Sequence, residues 1–457
     1  MLLHGREAHG VGLGEARHRL LLAEHPREDV PPRRIRQGLE EAADVVLAKL
    51  SYNHLVVRYA SRRHPTRGPP VRFPNTTCIR ETGPVTADLS RAELLGLRQR
   101  ALGLTGDRRG VAETADRLLA LQGQDLPGAL WSLGLRSGAR IADVRASFDG
   151  GELVRCWPLR GTLHVVPARD LAWVQQLTAD RTRASMRKRH QDLGIDAHAE
   201  QAARASLQNE MDARGESRHL TRAELFAAWE RDGIATGGQR GAHLLWLLSL
   251  DATLVYGPFS GTEQQLVIGT EWITNSATMD HDAAVRELVG RYLGGHGPAT
   301  LADIQYWCKL PLAELRAAID ELGDSLAHVQ VEGSSYLADA ETLERQELRK
   351  SAATLLLPGF DEWILGYQDR SASVHPDHAD LIVPGGNGMF RATVVRHGRC
   401  VGLWSKTSTA KRTRVVASPI SGAFSATAER EIRAQADRYA AFLGLEGTLT
   451  IGEQLLA

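Results

Sequence analysis

A helix-start phrase occurs twice almost unchanged, LSRAEL at 89–94 and LTRAEL at 220–225, and in looser form as TLADIQYW at 300–307. In each copy a Ser or Thr precedes an acid by three residues (Ser90/Glu93, Thr221/Glu224, Thr300/Asp303). At that spacing the hydroxyl and the carboxylate satisfy each other's backbone amides at a helix N-terminus. After a further helical segment, each copy is followed by β-prone runs broken by Gly-containing turns: VRCWPLRGTLHVV, TLVYGPFSGTEQQLVIG and AHVQVEGSSYLA. Helices followed by a hairpin make a winged helix-turn-helix, and three in tandem suit a protein that wraps around a duplex better than a simple repressor. The expected fold class is α+β: tandem winged helix-turn-helix modules over 85–195, 196–278 and 279–345. A mixed α/β closing domain over 346–457 is marked by TLLLPGFDEWILGY, LIVPGGNGMFRATVVRHGRCVGLW and a helix-like ATAEREIRAQADRYAAFLG.

Residues 1–84 read differently. They are rich in Arg, His and Pro, with loop-like HPREDVPPRR and RRHPTRGPPVRFPNTT, and show no sustained periodicity. A flexible extension is one account; the other is translation starting at Val85, where periodic, capped sequence begins. This stretch holds 14 Lys/Arg against 9 Asp/Glu, which leaves 41 and 46 for the rest of a chain whose net charge is zero. The body is thus mildly acidic, and contact with nucleic acid must come from local clusters.

Two such clusters stand out. RTRASMRKRH places Arg181, Arg183, Arg187, Lys188 and Arg189 on a helix-compatible stretch, fit to line a phosphate backbone or to form a solvated face. KTSTAKRTR at 406–414 mixes Lys411 and Arg412 with hydroxyls, suited to phosphate contacts or a plain loop. Cys78, Cys156, Cys308 and Cys400 are too far apart in sequence for the close pairs of a metal site or disulfide framework, so reduced thiols in a cytoplasm are expected. His375 and His378 in HPDHAD lack matching ligands, and VPGGNGMF lacks the lysine of a phosphate loop. Asp361 and Glu362 in GFDEW are adjacent, which on a strand turns them to opposite faces, so no paired acid–base role is assigned. No apolar run has the length of a membrane span.

LQGQDLPGALW at 121–131 follows the helical pattern of VAETADRLLAL, and Gly123, Pro127 and Gly128 break that pattern. Gln122 and Gln124 therefore sit at a helix end or in the loop beyond it, where residues two apart can converge on one target. Being neutral, they serve as dipoles and hydrogen-bonding groups, not as ordinary acids or bases.

LQGQDLPGALWSLGLR, RCWPLRGTLHVVPARDLAW, LTRAELFAAWERDGIATGGQRGAHLLWLL, HGPATLADIQYW, LPGFDEWILGYQDRS and VPGGNGMFRATVV occur in this order. From about residue 85 to the C-terminus, this ordered set resembles the winged-helix DNA glycosylases of the AlkZ/YcaQ type. The resemblance implies a C-shaped array of winged helices holding duplex DNA, with a Gln-aliphatic-Gln or Gln-aliphatic-Asp motif at the lesion. Gln122 and Gln124 fall on that motif as catalytic candidates, with Gly123 where an aliphatic residue is usual. It further implies excision of N3- or N7-alkylated purines, crosslinked ones among them, without metal or cofactor, by a monomer in the cytoplasm at the nucleoid. Arg160 and His164 in RGTLHVV and Arg240 in GGQRGAHLLW are DNA-contact candidates on the same ground. A regulator or resistance protein that only holds damaged DNA is the competing class. An interaction module using winged helices for protein contacts is a third: the acidic body favours it, the basic runs and the glutamine pair do not.

Overall fold

The computed structural model describes residues 85–345, 351, 353–386 and 388–452. The extension expected over 1–84 lies outside the described residues, as does Cys78. Strand β1 (Val85–Leu89) leads through Ser90 into helix α1 (Arg91–Ala101). The expected reciprocal cap is formed: Ser90 Oγ accepts from Glu93 N at 3.3 Å, and Glu93 Oε2 accepts from Ser90 N at 2.8 Å. Helix α2 (Val111–Leu118), the two-residue strand β2 (Leu121–Gln122), helices α3 (Leu126–Ser137) and α4 (Ile141–Asp149), and the hairpin β3 (Leu153–Leu159) and β4 (Thr162–Pro167) follow. Strand β2 pairs antiparallel with β4, Leu121 opposite Val165 and Gln122 opposite His164. A helix, a short strand, two helices and a hairpin whose second strand takes up the short one is the connectivity of a winged helix.

The order recurs after the 22-residue helix α5 (Leu171–Asp192), in α6 (Ala197–Ala213), β5 (His219–Leu220), α7 (Arg222–Arg231), α8 (Arg240–Ser249) and the hairpin β6 (Leu254–Ser260) and β7 (Glu263–Ile268). There β5 pairs with β7. Beyond the short helix α9 (Gly269–Trp272) it recurs once more, in α10 (His281–His296), α11 (Leu301–Cys308), α12 (Leu312–Leu322) and the hairpin β8 (Leu326–Val331) and β9 (Ser334–Asp339). In this copy the short strand shrinks to a single bridge, Ala299 opposite Leu337.

The phrase that suggested the first repeat lies outside it. LSRAEL spans the last residue of β1 and the start of α1, and β1 pairs in parallel with β8 of the third hairpin. The helix equivalent to α7 in the first repeat is α3, which begins just after Gln122-Gly123-Gln124. A capping box fixes where a helix starts and carries no information about which hairpin that helix will meet.

Helix α10 lies at the centre of a contiguous apolar core that reaches from Leu89 to Phe442. Its Val285, Leu288, Val289, Tyr292 and Leu293 recur at helical spacing and are buried, each worth about 1.5–3 kcal/mol when withdrawn from water. The second repeat buries Leu207, Leu225, Trp229, Leu244 and Leu248 around itself. It joins the first through the sheet: β3 and β6 pair at Arg155 and Tyr256, fusing both hairpins into one six-stranded sheet, β2-β4-β3-β6-β7-β5.

The closing part runs through α13 (Ala340–Arg345), β10 (Thr354–Leu357), α14 (Glu362–Leu365), α15 (Ala379–Ile382), β11 (Thr393–Arg396), β12 (Arg399–Ser408), β13 (Arg412–Pro419), α16 (Ala426–Leu443) and β14 (Glu446–Ile451). Strands β10 to β14 lie in sequence order in one sheet, antiparallel except for the parallel β13–β14 pair. Ala428, Ile432, Ala436, Tyr439 and Ala440 form the buried stripe of α16. Buried polar bonds tie α3 to this part: Trp131 Nε1 donates to the Leu356 carbonyl at 2.8 Å, and Arg136 holds Asp361 through two bonds of 2.9 Å. Gly134 lets the two parts close up, since a Cβ there would run into the ring of Phe442. Asp361 and Glu362 are not on a strand as expected: Asp361 caps α14, accepting from Trp363 N at 3.0 Å, and Glu362 is the first residue of that helix.

Candidate active site

The pairing of β2 with β4 ends at Gln122, and the chain leaves the sheet there. Gly123 N still donates to the Leu163 carbonyl at 2.7 Å, but the N–H of Leu163 goes to the side chain of Gln124, Oε1 accepting at 3.3 Å. Gln122 Oε1 accepts from Gln124 N at 2.5 Å. A backbone N–H facing each carboxamide fixes its oxygen as the inward atom, and each oxygen keeps a second lone pair. Gln122 is 6 % exposed and Gln124 half-buried, so the pair lies at the edge of solvent. Arg155 explains the glycine between them. Its Nη1 donates to the Gly123 carbonyl at 3.1 Å, and a Cβ on residue 123 would stand 3.1 Å from Arg155 Cδ and 3.3 Å from the His164 carbonyl carbon. Arg155 is itself held by Gln264 Oε1 at 2.7 Å and by the ring of Tyr256, whose centroid lies 4.3 Å away, both from the second hairpin.

Behind the glutamines is a polar cluster that sequence reasoning did not assign. Glu362, fully buried, accepts from Gln122 N at 3.2 Å through Oε1 and from Trp307 Nε1 at 3.1 Å through Oε2, with His296 Nε2 3.3 Å from Oε2. Burial pushes the Glu362 carboxyl up, but the hydrogen bond from His296 and the nearby Arg160 charge outweigh it and hold it below the usual carboxylate range. His296 stacks on Tyr292 with ring centroids 4.6 Å apart, and its Nδ1 has no partner. An unpaired buried acceptor costs less than an unpaired buried N–H, so the proton sits on Nε2, directed at the carboxylate. The sequence signal was slight: the second of two adjacent acids at the head of the apolar run Trp363-Ile364-Leu365, with its partner Gln122 240 residues away.

Arg160 and His164 join this cluster. His164 is fully buried, its Nδ1 2.8 Å from the Thr162 carbonyl and its Nε2 3.0 Å from Arg160 Nη2. The carbonyl can only accept and the guanidinium can only donate, so the ring is the neutral Nδ1–H tautomer. Burial and the Arg160 charge lower it to about 3. His164, expected as a DNA contact, has no exposed surface. Arg160, half-buried in the turn of the first hairpin, also donates to the Trp307 carbonyl at 3.2 Å.

The basic candidates divide by what already holds them. Arg183 is committed to Glu200 at 2.7 and 3.2 Å, and Arg189 to Gln239 at 3.0 Å. Arg240 bonds the carbonyls of Ala235 at 2.8 Å and Gly194 at 3.5 Å. On α5, Arg181 is exposed with one long bond to the Lys309 carbonyl, and Arg187 and Lys188 are exposed without a side-chain partner among the described residues. Lys411 is exposed at the β12–β13 turn, beside Arg412, which pairs with Glu446 at 2.9 Å. His375 and His378 lie 5.5 Å apart by ring centroid, and among the described residues no three His, Cys, Asp or Glu side chains converge as a metal site. Cys156, Cys308 and Cys400 are buried free thiols, and no described helix is long and apolar enough to cross a membrane.

A family model described as DNA glycosylase AlkZ-like matches residues 115–442, a span that includes both glutamines and the whole Glu362 cluster. An interstrand DNA cross-link repair glycosylase of Streptomyces sahachiroi is 27 % identical over 315 residues, covering 64 % of this chain and 81 % of that protein. The solved structure of Streptomyces sahachiroi DNA glycosylase AlkZ superposes with a TM-score of 0.65 at 21 % identity, over 80 % of this chain and 100 % of that one.

Proposed function

The chain belongs to the AlkZ-like DNA glycosylase family, and on that premise we propose that it hydrolyses the N-glycosidic bond of N3- or N7-alkylated purines in duplex DNA, crosslinked purines included. Gln122 and Gln124 are the residues at the reacting carbon. The observation that carries this choice of base is the proton inventory around them. Glu362, behind Gln122, is held ionised, and His164 is held neutral with both ring nitrogens engaged. Neither has a proton to give a departing base at neutral pH. With neither group able to act as an acid, the site suits a base that leaves as a neutral molecule without being protonated, and a purine alkylated at N3 or N7 already carries the positive charge that allows this.

The glutamines supply the rest. The free lone pair on a carboxamide oxygen accepts a hydrogen bond from the attacking water, and the two carbonyl dipoles face the oxocarbenium-like sugar as it forms. Because backbone N–H groups already orient both oxygens, little reorganisation accompanies the step. The exposed cations of α5 and of the β12–β13 turn, Arg187, Lys188 and Lys411, hold phosphates along the duplex.

A second reading, in which the glutamines only brace the junction, draws on those same backbone bonds. Base release from duplexes carrying N7-methylguanine, N3-methyladenine, hypoxanthine or uracil, in the presence of a chelator, separates the two. The expected result is release of the cationic purines alone, at a rate the chelator does not change. Equal release of hypoxanthine or uracil would remove the argument from the proton inventory, and inactivity on every duplex would leave the bracing reading. In binding assays, R187A/K188A should weaken damaged and undamaged duplex alike and flatten the salt dependence by about 0.9 in log–log slope for each phosphate that is no longer neutralised.

A further inference from the structure

We infer that Glu362 is a positioning residue for the glutamine pair, acting through the backbone amide of Gln122; the inference rests on the glycosylase reading of that pair. A glycine inside the motif gives the chain between Gln122 and Gln124 more conformational freedom than any other residue would. Something outside the motif must remove that freedom if two side chains are to be held for catalysis, where a displacement of about 1 Å costs on the order of 100-fold in rate.

The contacts show where the constraint comes from. Glu362 takes three donors, the Gln122 amide at 3.2 Å, the Trp307 indole at 3.1 Å and the His296 imidazole at 3.3 Å, and a carboxylate with three donors stays charged and fixed in direction. The histidine donor and the helix that carries the carboxylate are anchored in turn. Tyr367 Oη donates to the His296 carbonyl at 2.7 Å, Tyr292 covers the imidazole face, and the Asp361–Arg136 pair with the Trp363 amide fixes the start of α14. The amide so held belongs to the residue whose side-chain oxygen receives Gln124 N at 2.5 Å. Order therefore passes from the closing part through Glu362 to Gln122, and from Gln122 to Gln124. Arg155 pins the Gly123 carbonyl from the other side.

Three variants of the full chain test this: E362Q keeps size and an acceptor oxygen, E362D keeps charge but is one methylene too short to reach the amide, and E362A removes both. Single-turnover excision of N7-methylguanine, affinity for undamaged duplex, and amide hydrogen exchange of residues 121–125 are measured for each. We expect E362A and E362D to slow excision about 100-fold with affinity unchanged within two-fold. Exchange at 121–125 should rise at least ten-fold in both, and E362Q, whose one acceptor oxygen can serve the Gln122 amide while its NH2 faces the Trp307 and His296 donors, should recover only part of the rate and the protection. Wild-type rate and protection in E362A would overturn the inference, as would loss of rate and affinity in proportion in the isosteric E362Q. If the wild-type chain releases no base at all, the glycosylase reading of the pair fails, while exchange at 121–125 still decides whether Glu362 positions it.

Discussion

The first and second winged repeats pass from short strand to helix in opposite ways. At the β5–α7 junction, Thr221 and Glu224 cap each other: Thr221 Oγ1 accepts from Glu224 N at 3.1 Å and Glu224 Oε2 accepts from Thr221 N at 2.7 Å. The reciprocal cap there closes within four residues. At the β2–α3 junction Asp125 stands at the N-cap without a side-chain cap, and the amide of Gln122 turns to Glu362, 240 residues on. The same connectivity thus has a self-sufficient version and one completed from a distance. Local rules tend to be broken where function is housed, because a side chain spent on capping is not available for chemistry.

The comparison breaks most visibly if the distant support is removed. R136M strands the buried carboxylate of Asp361, and urea denaturation should show a loss of about 3–5 kcal/mol. A loss under 1 kcal/mol would mean that the first junction is as self-sufficient as the second. Next in size, Q124A should lower single-turnover excision about 100-fold, a barrier change of about 2.7 kcal/mol, with duplex affinity nearly unchanged. Rate and affinity falling together would make the glutamine a brace.

Acid sharpens the comparison through one buried histidine in each repeat. The folded chain refuses His164 a proton until about pH 3, and His243, lowered by burial, His190 and Arg189, until about pH 4, while the unfolded chain takes both near pH 6.5. The unfolded state binds more protons in that window, so stability is intact above it and falls with acidification, by up to about 1.4 kcal/mol per pH unit for each histidine. H164N should flatten the slope of unfolding free energy from about pH 6.5 down toward 3, and H243N only to about 4. Unchanged slopes in both variants would show the rings to be protonated in the folded chain. Smallest of all, T221A should cost about 1 kcal/mol in the second repeat and leave the excision rate as it was.

Much of this was legible in the residues. The capping boxes at Ser90, Thr221 and Thr300 all form, and the three hairpins stand where β-prone runs flank glycine turns. Such signals are local, carried by three to a dozen neighbouring residues. The partnership of β1 with β8 and the bond from Gln122 to Glu362 are not local, and a sequence holds no spacing rule for contacts more than 200 residues apart. For the same reason the partners of Arg183 and Arg189, Glu200 and Gln239, could not be read from the basic run that holds them. Gln122 and Gln124 stood out because two amides around a glycine after a helical run have little to do in a core.

Arg155 and Gly123 also bear on how such a chain can drift through evolution. The space that a larger residue 123 would need is filled by the Arg155 side chain, which also bonds the Gly123 carbonyl and reaches Gln264 in the next hairpin. Neither position is free to change alone: G123V meets the guanidinium stem, and R155S leaves a glycine without its clamp. The two positions constrain each other: an aliphatic residue at 123 is best accommodated beside a shorter side chain at 155, at the cost of the bond to the residue 123 carbonyl.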